Sequence, residues 1–231
     1  MKKLLVEDER VVASAVWKEA GTLVRRHPMV AFLPAAVLGT LSELPYLLPD
    51  SKYVVQDILA FLTEAFAYYL YVAYVESIIA EAQSAEHIPL RNVLSHLLLA
   101  APAVPLIIAS SIVAITLPTA AASLLVIPGL WLLTRWSLFA PLIVRESLRP
   151  VAALRHSSEL VRGHFEMVFL TAAFAVILEE AVTDGGALVG LLVSGSGTWG
   201  EWVGGTVAET LIMPLASFAT ALAYGLLSRH S

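Results

Sequence analysis

The 231-residue chain contains no cysteine, and only 14% of its residues are charged. Without cysteine there is no disulfide framework, no thiolate nucleophile and no cysteine-based metal site. A soluble domain carries about 25% charged residues. That deficit, joined to 58% hydrophobic residues and a mean hydropathy of +0.78, places the chain in the membrane class. Formal net charge is −5, and no Lys/Arg cluster interleaves with aromatics, so nucleic acid is not an expected partner. Catalytic signatures are missing as well. His27, His87, His96, His156, His164 and His230 show no zincin spacing, and Ser157-Ser158 and Ser194-Gly-Ser196 lack a nucleophile-elbow context. No glycine-rich phosphate cradle is present. The expectation is a protein without enzymatic machinery, cofactor or metal.

What is present is a succession of long apolar runs. Met1-Lys-Lys-Leu-Leu-Val imitates a signal-peptide start, but Glu7-Asp-Glu-Arg10 cuts it short, so the N-terminus is expected to stay in the mature protein. Residues 9–26 alternate at helical period, with Val12, Val16, Ala20 and Leu23 on one face. Such a basic amphipathic helix suits either the membrane interface or a packed position on the protein. A first span is predicted from Met29 to Leu47 and a second from Val54 to Ala80, joined by the turn Pro49-Asp-Ser-Lys52. From Leu97 to Val144 the only charge is Arg135. As helix this stretch measures about 72 Å against a hydrocarbon core of about 30 Å. It must therefore fold back, with spans at 98–117 and 121–144 around Pro118-Thr119.

Residues 145–164 form a basic amphipathic segment that starts at Pro150 and ends at Gly163. A fifth span is predicted over 165–183, broken by Asp184-Gly-Gly, with Ala187 to Val193 as a helix end or re-entrant piece. A Gly/Ser loop at 194–200 precedes the sixth span, 202–227. The predicted fold class is thus all-α: one polytopic domain, 1–231, of six transmembrane helices with cytoplasmic amphipathic helices. Six spans place Lys2, Lys3, Arg10, Lys18, Arg25, Arg26, Arg91, Arg145, Arg149, Arg155, Arg162 and Arg229 on one side. By the positive-inside rule that side is cytoplasmic, with both termini, in the cell (inner) membrane.

Leu23-Val-Arg-Arg-His-Pro-Met-Val-Ala-Phe-Leu33 is similar to Leu160-Val-Arg-Gly-His-Phe-Glu-Met-Val-Phe-Leu170, and Val93-Leu-Ser-His96 is a fainter third copy. Three repeats of amphipathic helix plus hairpin are one reading, and chance likeness in apolar sequence is the other. A family resemblance rests on Ile127-Pro-Gly-Leu through Arg135, Pro141 and Glu146, then Ala152-Ala-Leu-Arg-His-Ser157, Leu160 and Arg162-Gly163, with Pro214-Leu-Ala through Ala223-Tyr224-Gly-Leu-Leu-Ser-Arg229 at the close. With these residues the chain resembles six-span proteins of the glycerophosphoryl diester phosphodiesterase membrane-domain type, a superfamily that takes in the YciC-like membrane proteins. The resemblance implies six helices and a membrane location. It implies no phosphodiesterase activity, because that chemistry belongs to a separate soluble domain fused in some members, and no His-Arg-Gly opening of such a domain exists here.

Charges inside spans are costly and are paired or line polar cavities. Glu64, Glu179, Glu180 and Glu209 fall near mid-membrane on the outer side, with Arg135 a little deeper. Asp57, Phe61, Glu64, Tyr68 and Tyr71 share one face of span two, and Glu209, Thr220 and Tyr224 another of span six. The candidate intramembrane polar site is therefore Arg135, Glu64, Tyr68, Glu179, Glu180 and Glu209, with Arg135 facing a carboxylate across a cavity or else snorkelling to the interface. Trp131 lies one turn away, within reach for cation–π contact. Glu43, Asp57, Asp184 and Glu201 read as solvated at the outer interface. Arg145, Arg149, Arg155 and Arg162 are candidate contacts for anionic lipid headgroups. Two functions follow: a scaffold or partner of other membrane proteins, as a homo-oligomer or otherwise, or a transporter or lipid-handling protein built around the polar cavity.

Overall fold

The computed structural model describes residues 9–47, 53–113, 126–195 and 198–229, and among these every regular element is helical. The predicted turns at 49–52 and 118–119 and the side chains of Asp57 and Phe61 lie outside what is described. Helix α1 (Glu9–Arg26) leads into α2 (Pro28–Ser42), a 3-10 turn (Leu44–Leu47) and the long α3 (Tyr53–Ser84). Then come α4 (Leu90–Ala100) and α5 (Val104–Val113), bent by 63° about Ala101–Ala103. Helices α6 (Val126–Trp136), α7 (Phe139–Glu146) and α8 (Pro150–Leu160) follow. The chain closes with α9 (Phe165–Val168), a π-helical stretch (Phe169–Ala173), α10 (Phe174–Ser194) and α11 (Thr198–Leu227).

Two helical stretches, Val126–Glu146 and Trp199–Leu227, are long and apolar enough to cross a membrane, and the bent α4–α5 pair makes a third if it is one span. Helix α2 is apolar but shorter, and α10 carries Glu179, Glu180 and Asp184. The amphipathic α1 turns Val12, Val16, Ala20, Leu23 and Val24 into the core, so its apolar face packs on the protein. Helices α3 and α11 form the centre, burying Tyr68 to Ile79 and Met213 to Leu227.

Local chemistry explains the irregularities. Pro34 has no N–H for the carbonyl of Val30, and the Tyr74 hydroxyl takes that carbonyl at 3.0 Å while Tyr71 donates to Ala31 O at 2.5 Å. Pro141 sits in the first turn of α7, where its missing N–H costs nothing; the regular helix is interrupted at Ser137-Leu138, inside the single stretch Val126–Glu146 that is long and apolar enough to cross a membrane. In the π-helical stretch the Leu170 carbonyl accepts from the Trp17 indole at 2.8 Å.

Helix α10 corrects one expectation. Asp184-Gly-Gly does not break it; the helix continues to Ser194 and ends on Gly195 in the left-handed conformation, φ 74°. Gly186 and Gly190 of α10 pack backbone to backbone against Gly200 and Gly204 of α11, where any Cβ would collide. The glycines are there for close approach, not for a break.

His27 and His164 cap α2 and α9 in a similar non-helical backbone, φ −125° and −133°. His96 lies inside α4 instead and bonds Glu81, so the third repeat copy does not share this cap.

Candidate functional site

The bundle has two chemically distinct ends. At one, α2 and α10 finish while α3 and α11 begin; at the other lie α1, α8 and the last turns of α3 and α11. Glu64 and Glu76 of α3 belong to opposite ends, 12 residues and about 18 Å apart.

The first end is acidic. Glu43, Glu64, Glu180, Asp184 and Glu209 lie within Coulombic reach of one another, with Glu179 beside them. The Glu43 and Glu64 carboxyl groups are close neighbours. Ser42 donates to Glu209 Oε2 at 2.6 Å, and Thr63 donates to the Ser42 carbonyl at 2.8 Å. Among the described residues no Lys, Arg or His forms an ion pair with Glu43, Glu179, Glu180, Asp184 or Glu209. Two glycines make room for the acids. A methyl at Gly205 would stand 2.7 Å from a carboxyl oxygen of Glu43, and one at Gly39 would stand 3.1 Å from Glu209.

A cavity of about 210 Å³ opens among these side chains, lined by Glu43, Glu64, Thr183, Asp184, Ala187, Leu188, Leu191 and Glu201. It is large enough for several waters, each of which takes about 30 Å³. Glu43 is 1% exposed and Thr183 5%, yet Glu43 Oε1 and Thr183 Oγ1 have no hydrogen-bond partner among the described residues. Most buried polar atoms in proteins are bonded; these two are among ten buried side-chain atoms without a partner among the described residues, and they share one cavity. Glu43, read from sequence as solvated at the interface, is instead buried, because the turn after Ser42 folds it back against Gly205.

The opposite end is neutralised. The Glu76 side chain is fully buried and forms an ion pair with Arg145, whose guanidinium also lies 5.7 Å from the Tyr224 ring centroid. Tyr224 donates to Glu146 at 3.0 Å, and Glu146 approaches His156 at 3.5 Å. Glu81 accepts from Asn92 at 2.7 Å and from His96 at 3.0 Å, and these bonds, Asn92 first, hold its carboxyl below the usual range. Arg155, with a smaller part from His156, does the same for the exposed Glu159.

The residues singled out from sequence are therefore divided. Glu64, Glu179, Glu180 and Glu209 come together. Tyr68 reaches from one predicted polar face to the other, its hydroxyl 3.1 Å from Thr220, whereas Tyr71 turns to α2. Arg135 does not join them. Its guanidinium lies over Trp131 at 4.6 Å and 3.5 Å from the Ser158 carbonyl, while its own carbonyl accepts from Ser157 at 2.7 Å. It lies against Ser157 and Ser158 of α8 and forms no ion pair with a carboxylate of the cavity. Arg149, Arg155 and Arg162 are exposed along and beside α8, but Arg145 is committed to Glu76. Sequence reasoning missed Glu43, Thr183 and the Glu76–Arg145 pair; only the spacing of Glu76 within a predicted span hinted at the last. No family model matches this chain, and neither does any curated protein or solved structure.

Proposed function

We propose that this chain is a six-span membrane protein, its α8 end cytoplasmic, that accepts protons or small cations into the acidic cavity from the opposite side. One observation carries the reading: Glu43, buried with an unpartnered oxygen, faces a cavity whose wall holds Glu64, Asp184 and Glu201. Intramembrane acids that face a cavity serve ion pathways and proton relays. The six-span layout follows the twelve basic residues on one side and agrees with the membrane-domain resemblance. A scaffold for envelope proteins, the competing role, calls for no acid-lined cavity.

Proteoliposomes loaded with a pH-sensitive dye test the reading. Wild-type protein is expected to pass protons, alone or in exchange for a cation, and Glu43→Gln to abolish the flux. Equal flux in both, or none above empty liposomes, ends the proposal. The absence of native cysteine makes topology simple to check: a cysteine at Gly195 is expected to react with an impermeant maleimide from outside, and one at Ser158 only after permeabilisation.

A further inference from the structure

The cavity is not lined by acids alone, and its apolar wall bears on what it takes. Glu43, Glu64, Asp184, Glu201 and Thr183 supply oxygens, while Ala187, Leu188 and Leu191 supply a hydrocarbon wall along one turn of α10. A bare metal ion needs several oxygens converging at about 2.0–2.6 Å. No three His, Asp or Glu side chains among the described residues gather closely enough to hold one. The volume of about 210 Å³ is also far larger than an inorganic ion requires.

Resting on the cation reading above, we propose that the cavity binds a small alkylammonium ion, its –NH3+ group at Glu43 and Thr183 and its alkyl chain along Ala187, Leu188 and Leu191. The three N–H donors of an ammonium match oxygen acceptors that the fold leaves free: Glu43 Oε1 and Thr183 Oγ1 have no partner among the described residues. Charge-assisted hydrogen bonds of this kind are about twice as strong as neutral ones. The leucines give what an inorganic cation cannot use, burial of methylene groups, each contributing about 0.8 kcal/mol, or roughly fourfold in affinity.

The test is calorimetric titration of the full chain in lipid nanodiscs, with empty nanodiscs as the control for partitioning. Methylammonium, ethylammonium, propylammonium and butylammonium chlorides are compared with sodium and calcium chloride at constant ionic strength. Affinity is expected to rise about fourfold per methylene, to fall at least tenfold in Glu43→Gln, and to vanish in Ala187→Phe, which fills the cavity and leaves every acid in place. Variants are first checked for native size and helicity, and Thr183→Val, expected to weaken every amine by about the same factor, serves if either misfolds. Equal binding of sodium and all four amines, or an unchanged chain-length slope in Ala187→Phe, overturns the alkylammonium inference and leaves the cation reading standing. No binding of any cation, together with no proton flux, removes both.

Discussion

The two ends of α3 treat a buried glutamate in opposite ways. Glu76 is paired with Arg145, and beside that pair Tyr224 bonds Glu146, which in turn approaches His156. Glu43 and Glu64 sit among further acids, and Gly205 leaves room for the Glu43 carboxyl. The first arrangement joins α3 to α7 by an ion pair; the second leaves a cavity among carboxylates. A buried acid is therefore not one kind of feature, and its neighbours decide its role.

The largest expected effect comes from breaking the matched end. Arg145→Met leaves Glu76 buried without its cation, a change that costs about 3–5 kcal/mol when both partners are buried. Because Arg145 is itself 41% exposed, about 3 kcal/mol is expected, read as a fall in thermal midpoint in detergent. Replacing both residues in Glu76→Met/Arg145→Met should recover most of that loss. If it does not, the pair is more than a structural clamp.

Next comes the packing beside the cavity. Gly204→Val pushes a side chain into the backbone of Gly186 and should cost about 1–3 kcal/mol as an overpacked contact. It should also loosen the α10–α11 hairpin, seen as faster hydrogen exchange over residues 186–194. Exchange that changes only near α8 would show that the two ends are mechanically linked.

Smaller still is the cost of Glu43→Gln, which keeps the shape and removes a charge from a crowded acidic site. Its thermal midpoint is expected to stay within about 1 kcal/mol of wild type, or to rise, although flux and ligand binding are lost. A fall as large as that of Arg145→Met would erase the distinction between the ends.

The smallest effect is one of pH. Glu81 is held below its ordinary value of 4.5 by Asn92 and His96. Its contribution is thus complete above that value and fades as pH falls through the lower folded value. Exchange in α4, corrected for intrinsic rates, should therefore quicken below pH 4.5 and be independent of pH in Glu81→Gln.

Much of this was legible in the sequence, and what failed did so for physical reasons. Apolar runs and helical periodicity fix the helical class, and the faces carrying Tyr68 and Thr220 do meet. For Arg135 the sequence leaves a cavity carboxylate and the interface both open; its contact with Trp131 is in reach of the sequence, whereas its contacts with Ser157 and Ser158, far along the chain, are not. Asp184-Gly-Gly looked like a break because the partner glycines, 200 and 204, lie outside any local window. Glu43 looked solvated because burial came from Gly205, far along the chain.

The tyrosines that cover the gap made by Pro34 have one further consequence. Tyr71 and Tyr74 bolt α2 to α3 by two hydrogen bonds, so those helices behave as a single frame. The glycine contact between α10 and α11 brings backbone against backbone, which lets those two helices pack closely without side chains between them. The cavity is thus walled by two helix pairs joined in different ways, α2–α3 by tyrosine hydrogen bonds and α10–α11 by bare backbone contact.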